Sequence, residues 1–416
     1  MKITSLNRQF SLEVELPGSK SLSNRALMIS AYSGISFPID NLSLADDTKL
    51  LAENLEYIRN CISTSMPLVV DCGNAGTVFR FLLTYLASTP GNWMLTGTVR
   101  MKSRPIAGLV DSLRMLGAEI YYTEQEGYPP VRIVGQKLKG GKTSVSMQQS
   151  SQFASSLLLA GPTWPKGLDL DLTEGLNSVP YLEMTIHIME QCGAKVMVAG
   201  RKISVLPIIY KPQYISIEPD WSSAAFWYEM VALSQGAEVV LKGLPADSLQ
   251  GDSRAVVMFS GLGVKTEKVA NGLLLRWTGE VEERQFFDLH DHPDMLPALL
   301  ATCAGLGLKA TFTGLDNLQY KESNRTASLA RELTKIGANF VQVNESTWQL
   351  HPASIQPMPE APPSLHVYAD HRLAMAFAPL ALKTGALHID EPECVDKSYP
   401  GYWSQLRRTK AFALES

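Results

Sequence analysis

Long apolar runs are missing from this chain of 416 residues; the longest, around Met295 to Leu308, is too short and too broken by glycine to span a bilayer. The stretch MKITSLNRQFSLEVELPGSK lacks the apolar segment of a secretory signal, so a cytoplasmic protein without a membrane anchor is expected. Cysteine is scarce. Cys61, Cys72, Cys192, Cys303 and Cys394 lie far apart, odd in number and without a Cys-x-x-Cys pair, which argues against a disulfide framework and a zinc ribbon. Charge of either sign is nearly balanced at −4, which argues against a general nucleic-acid binder. Anionic small molecules stay open, because a cleft can concentrate positive charge that the sum over the chain hides. Low-complexity blocks are absent as well.

What is present is ordinary for a globular protein: 45% apolar and 19% charged residues. The length exceeds what one hydrophobic core usually supports, so two domains are expected. An internal repeat organises them. Six times a polar cluster is followed by an apolar helical run, a glycine or proline break and a β-like stretch. The repeats begin near Ser19, Asn74, Ser150, Trp221, Asp294 and Asp370, at intervals of 55, 76, 71, 73 and 76 residues. Between them a second helix recurs and stops at glycine, as in SRPIAGLVDSLRMLGAEI and NRTASLARELTKIGANF. Each unit therefore reads as βαβαββ, and six units divide into two domains of three, with a seam near 214–220. Periods this long favour globular packing over a solenoid.

The helix starts carry the chemistry. A helix amino terminus exposes unpaired N–H groups and the positive end of the macrodipole, where phosphates and carboxylates bind well. Here those starts bear Lys20, Ser21 and Arg25; Asn74, Gly76, Thr77 and Arg80; Ser150, Ser151 and Gln152; His371 and Arg372. Taken singly each is weak: Ser-Ser-Gln is ordinarily an N-cap, and Gly-Asn-Ala-Gly-Thr is compatible with a plain turn. PGSKSLSNR lacks the first glycine and the spacing of a phosphate-binding P-loop, so a nucleotide triphosphatase is not supported. Together with Arg104, Lys321, Arg325 and Lys397 the set suits ligands carrying several negative charges, gripped by arginine forks and lysine point charges. Two facing domains would bring several such ends to one cleft.

LPGSKSLSNRAL, the Asp46-Asp47-Thr48 turn, GNAGT, Ser103 to Pro105, SSQF, Ser178 to Tyr181, DHPD, NLQYKESNR, DHRLAMA and CVDKSYP follow one another along nearly the whole chain. In content and order they resemble the 5-enolpyruvylshikimate-3-phosphate synthase family; LPGSKSLSNRAL and GNAGT are the specific ones. The resemblance implies an α/β (α+β) fold of two inverse α/β-barrel domains, each of three βαβαββ repeats. Residues 19–218 would form the first, and 1–18 with 219–416 the second. It implies transfer of the enolpyruvyl group of phosphoenolpyruvate to the 5-hydroxyl of shikimate 3-phosphate, on the way to chorismate. It implies no metal, no organic cofactor, no nucleic-acid or membrane partner, and a monomer.

Carried over by position, Lys20 would touch both substrates. Ser21, Arg25, Ser150, Ser151, Gln152, Ser178, Asp294, Asn317 and Lys321 would hold shikimate 3-phosphate. Asn74, Gly76, Thr77, Arg104, Gln152, Arg325, Arg372 and Lys397 would surround phosphoenolpyruvate. Asp294 would take the proton of the attacking hydroxyl and Glu322 help protonate the methylene carbon, with Lys20 or Lys397 donating to the leaving phosphate. A base and an acid on the two sides of the reacting carbons are what addition followed by elimination requires.

The chain departs from the family at Asn324, where aspartate is usual, at Val78-Phe79, at Val179, and in a short stretch from 48 to 73. Asn324 puts a charge contact in doubt, and Val78-Phe79 the packing behind GNAGT. Three other readings compete. The sister enolpyruvyl transferase acting on UDP-N-acetylglucosamine needs a loop cysteine that TVRMKSRPIAG does not have. A metal-dependent phosphoesterase is prompted by His290, Asp291, His292 and Asp294 in DLHDHPD, but no second His-rich element supports it. A non-catalytic anion-binding module would not need Asp294, Glu322, Lys20 and Lys397 together.

Overall fold

Helices begin where the polar clusters end: Lys20–Ser33, Gly76–Ser88, Gln152–Ala160, Trp221–Ser234, Leu296–Leu306 and His371–Phe377. The computed structural model describes residues 1–61, 66–211, 214–352, 354–358 and 360–415. Several of these helices are apolar on every side, and Trp221–Ser234 is buried along almost its whole length. A helix with no polar face has to lie in the middle of a core. The chain divides into two units, Met1–Gly18 with Glu218–Ser416, and Ser19–Ile217. Each has its own continuous apolar core.

In the unit Ser19–Ile217, the helices Lys20–Ser33, Gly76–Ser88 and Gln152–Ala160 pack against one another. Two four-stranded sheets belong to it. One runs in the order Leu68–Asp71, Gly91–Thr96, Val131–Gly135, Glu119–Tyr122; the other Gly141–Val145, Leu168–Leu172, Lys202–Val205, Val196–Ala199. In both, the first two strands are parallel and a helix joins them, and an antiparallel hairpin completes the sheet. That is βαβαββ. The alternation is plain in Leu168–Leu172, where three leucines point inward and two aspartates outward.

The first repeat differs from the expected pattern. Among the described residues its sheet has two parallel strands, Ile215–Ser216 and Ile39–Asp40. Only residues 61–67 separate the helix Asp46–Asn60 from the strand Leu68–Asp71, too few for two strands and a turn. The short first interval in the sequence falls at this connection, where no hairpin is found among the described residues. Part of the 48–73 stretch, residues 62–65, lies outside the described residues.

The unit formed by Met1–Gly18 and Glu218–Ser416 has three complete four-stranded sheets. Their orders are Ser11–Glu15, Glu238–Lys242, Gly272–Val281, Leu262–Val269; then Arg284–Asp288, Lys309–Thr313, Trp348–His351, Asn339–Gln342; then Ser364–Leu365, Ala386–Ile389, Lys2–Ser5, Phe412–Glu415. In the last, Lys2–Ser5 is antiparallel to both neighbours, with Ile3 opposite Leu387 on one side and Leu414 on the other. Trp221–Ser234, Leu296–Leu306 and His371–Phe377 pack together at the centre. Among the described residues no helix is long and apolar enough to cross a membrane.

Candidate active site

In the unit Ser19–Ile217, the starts of Gly76–Ser88 and Gln152–Ala160 are tied by side chains. Gln152 donates from Nε2 to Thr77 Oγ1 at 2.8 Å, and its Oε1 accepts from Arg80 Nη1 at 2.7 Å. The Arg80 guanidinium also lies over the Phe153 ring, 5.4 Å from its centroid. Ser150 Oγ accepts from the backbone N–H of Gln152, and Ser151 is the residue before that helix. Arg104 is buried and donates to the Asn74 carbonyl at 3.4 Å. It lies so close to Gly76 that a Cβ there would sit 2.6 Å from the guanidinium. Glycine leaves the room that the guanidinium occupies at this helix start, which brings Asn74, Gly76, Thr77, Arg104 and Gln152 into one group.

Lys20 opens the helix Lys20–Ser33 and pairs with the buried Asp47 at 2.9 Å. Ser21 lies beside it, half-buried. Ser178 precedes the helix Val179–Gln191 in a left-handed conformation, φ 60°, a costly geometry for a residue with a Cβ.

The other unit gathers a denser cluster. Asp294 sits in the turn Pro293–Met295, ahead of Leu296–Leu306. One of its oxygens accepts from Arg325 Nη1 at 2.7 Å and Lys321 Nζ at 3.4 Å, the other from Arg372 Nη2 at 2.9 Å. Arg325 is 1% exposed and also reaches Glu322 at 2.8 Å and Asp370 at 2.9 Å. Asp370 caps His371–Phe377 by accepting from the Arg372 N–H, and takes a further bond from Ser323 Oγ. Three cations, Lys321, Arg325 and Arg372, are thus interleaved with three carboxylates, Asp294, Glu322 and Asp370. Burial alone would raise the Asp294 carboxyl, but Arg372, Lys321 and Arg325 outweigh it and hold it well below the usual range. Burial pushes the Lys321 ammonium down, against the pull of Asp294. Asn317 is buried ahead of the turn Leu318–Tyr320, and its Oδ1 has no hydrogen-bond partner among the described residues. Lys397 ends the turn Pro392–Lys397, half-buried.

The chain matches the model of the family described as EPSP synthase (3-phosphoshikimate 1-carboxyvinyltransferase) over residues 6–406. A Bacteroides fragilis protein named 3-phosphoshikimate 1-carboxyvinyltransferase is 41% identical over 407 residues, covering 98% of this chain and 97% of the relative. One of the same name from Methanoculleus marisnigri is 34% identical over 408 residues, covering 94% of each. This chain belongs to the EPSP synthase family. In fold it is similar to the EPSP synthase of Acinetobacter baumannii, with a TM-score of 0.76 over the full length of both chains at 23% identity.

Arg25, on the helix Lys20–Ser33, bonds only to groups of its own unit among those described. It is buried and turned inward: Nε donates to Thr185 Oγ1, and the two terminal nitrogens to the Ser21 and Tyr181 carbonyls and to Ser155 Oγ. Burial lowers its pKa to about 10. These bonds tie Arg25 to the segments around Ser155 and Tyr181. At Asn324 no carboxylate is needed. Its Oδ1 caps Arg325–Thr334 by accepting from Ala327 N–H, and Arg325 already has three carboxylate partners. Val78 and Phe79 are fully buried in the core, and Val179 is the first residue of its helix.

Sequence reasoning passed over Asp370 as a hub, Asp47 as the counter-ion of Lys20, and Arg80 as the anchor of Gln152. Each stands beside a motif residue, and a carboxylate at a helix start was the available signal. In DLHDHPD, His290 is engaged with Asp288 at 2.5 Å. Among the described residues no group of three or more His, Cys, Asp or Glu side chains could hold a metal ion.

Proposed function

We propose that this chain transfers the enolpyruvyl group of phosphoenolpyruvate to the 5-hydroxyl of shikimate 3-phosphate and releases phosphate. The observation that carries the reading is the Asp294 cluster: one carboxylate held by Arg325, Arg372 and Lys321, in a chain of the EPSP synthase family. Polyanions exchange readily into such a cluster, because their oxygens replace the carboxylate at the guanidinium forks.

The hydroxyl oxygen attacks C2 of the donor while its proton passes to Asp294, and C3 receives a proton from Glu322 or a neighbouring lysine. The tetrahedral intermediate then loses the C3 proton and the C2–O bond to phosphate breaks, with Lys20 or Lys397 protonating the departing oxygen. Arg104, Arg325, Arg372 and Lys397, with Asn74, Gly76 and Thr77, are assigned to the donor. Ser21, Arg25, Ser150, Ser151, Ser178, Asn317 and Lys321 are assigned to the acceptor, and Lys20 and Gln152 to both. Cations fixed before reaction stabilise the anionic intermediate without reorganising.

Asp294 is a weak base while three cations hold it. A bound anion shares the same fixed cations, which weakens their hold on this carboxylate and returns its pKa toward the ordinary range. The enzyme is then a base only when loaded.

Phosphate release from phosphoenolpyruvate, followed with and without shikimate 3-phosphate, tests this reading. Release only with both substrates, and a severe loss in Asp294→Ala, is the expected result. Unchanged turnover in that variant removes Asp294 as the base. We further place the protein in the cytoplasm, a reading supported by its free cysteines, and read it as a monomer. Sedimentation at working concentration checks the monomer.

A further inference from the structure

Behind the Asp294 cluster lies a second group of carboxylates with a different geometry. The segment 366–369, just ahead of Asp370, is held by side-chain oxygens at three of its four backbone N–H groups. Glu332 Oε2 accepts from His366 N at 2.8 Å, Asp390 Oδ1 from Val367 N at 2.8 Å, and Glu391 Oε2 from Ala369 N at 3.0 Å. Glu332 also takes the Tyr368 hydroxyl at 2.7 Å and Lys335 at 2.6 Å, and the other oxygen of Asp390 faces His366 Nδ1 at 2.6 Å.

The backbone held in this way is strained. Tyr368 and Ala369 are both left-handed, with φ of 54° and 51°, and Glu391 has φ of 42°. Non-glycine residues remain there only when their surroundings over-determine them, and such strain gathers where a chain is shaped for function.

The three segments joined in this way each lead to a cation. Glu332 is on the helix that Arg325 opens. The strained segment runs directly into Asp370, His371 and Arg372. Asp390 and Glu391 run directly into the turn that Lys397 ends. We infer that Glu332, Asp390 and Glu391 are positioning residues that fix Arg325, Arg372 and Lys397 in place before an anionic donor arrives. They touch no substrate; they set where the cations stand. The inference rests on the enolpyruvyl-transfer reading.

The test uses the full chain, with initial rates measured against each substrate in turn. Glu391→Ala removes the acceptor for Ala369 N–H and is expected to lower kcat/KM for phosphoenolpyruvate by roughly tenfold, mostly through KM. With phosphoenolpyruvate saturating, kcat/KM for shikimate 3-phosphate is expected to stay within about twofold. Glu391→Gln keeps an acceptor oxygen and should retain most of the donor affinity. Adding Ala369→Gly to Glu391→Ala should restore much of it, because glycine takes the left-handed backbone without the clamp. Glu267→Gln, which removes a half-buried carboxylate paired with Lys265 and Arg276, is the control and should match wild type.

The inference is overturned if Glu391→Ala leaves both constants at wild-type values. It is equally overturned if both fall together with the melting temperature and glycine at 369 restores neither. Absent turnover in wild type would instead sink the activity reading, and calorimetric titration with phosphoenolpyruvate then makes the same comparison between variants.

Discussion

Asp294 carries three cationic contacts, and its titration is where the residue scale is most informative. The free enzyme holds this carboxyl well below the ordinary value of 3.8, whereas bound anions would share its cationic partners and weaken their hold. The acid limb of kcat, which reports the loaded enzyme, is therefore expected at higher pH than that of kcat/KM, which reports the free one. Coincident limbs in a pH-rate series would show that Asp294 keeps its cations through turnover. Gly76 offers a second test. A methyl group there meets the Arg104 guanidinium, the far end of a flexible side chain, so the fold should survive and the arginine should move. Gly76→Ala is expected to raise KM for phosphoenolpyruvate roughly tenfold, the scale of one weakened charged contact. Thermal melting should be nearly unchanged.

Glu229 belongs to the core and to no substrate contact. It is fully buried within Trp221–Ser234, both carboxylate oxygens lack partners among the described residues, and burial raises its pKa well above 4.5. The unfolded chain ionises this group from about its ordinary value, whereas the folded chain keeps the proton. Above that pH each unit favours unfolding by about 1.4 kcal/mol until the folded group also ionises. Glu229→Met removes the penalty. Its gain in stability should be largest at about pH 8 and shrink toward about pH 5 in denaturant titrations; a gain independent of pH would mean that Glu229 is ionised in the folded protein.

At the scale of elements, side-chain caps mark some of the helix starts. Asp220 accepts from the Ser223 N–H at 2.8 Å and its hydroxyl at 2.7 Å, and Asn324 and Asp370 cap their helices in the same way. Asp220→Ala should cost about 1 kcal/mol or more in an unfolding titration, the usual loss for such a cap. These signals are local, within three residues of the cap, so a sequence displays them. The inward turn of Arg25 is different in kind. Its partners Thr185, Ser155 and Tyr181 lie 130 or more residues away, and nothing in SKSLSNRAL names them. The carboxylates behind Arg372 escaped for the same reason: Glu332, Asp390 and Glu391 come from three segments and meet only in the folded unit.

For the whole molecule, periodicity gave away the architecture because each βαβαββ unit repeats the same sequence of breaks, runs and turns. The interval of 55 residues was equally visible, yet its cause was not: a shorter loop and a lost hairpin leave the same count. Sheet membership shows where the repeat differs, with two strands among the described residues where the other five repeats have four.

The strand Lys2–Ser5 lies in the interior of its sheet, flanked by Ala386–Ile389 and Phe412–Glu415. A ribosome emits these partners more than 380 residues apart, an interval of roughly 20–80 s at ordinary elongation rates. Throughout that time Ser19–Ile217 can mature on the emerging polypeptide, while the leading strand waits with both edges bare. Slowed translation, or a bulky fusion ahead of Lys2, should trap material in which one half is native and the other awaits closure.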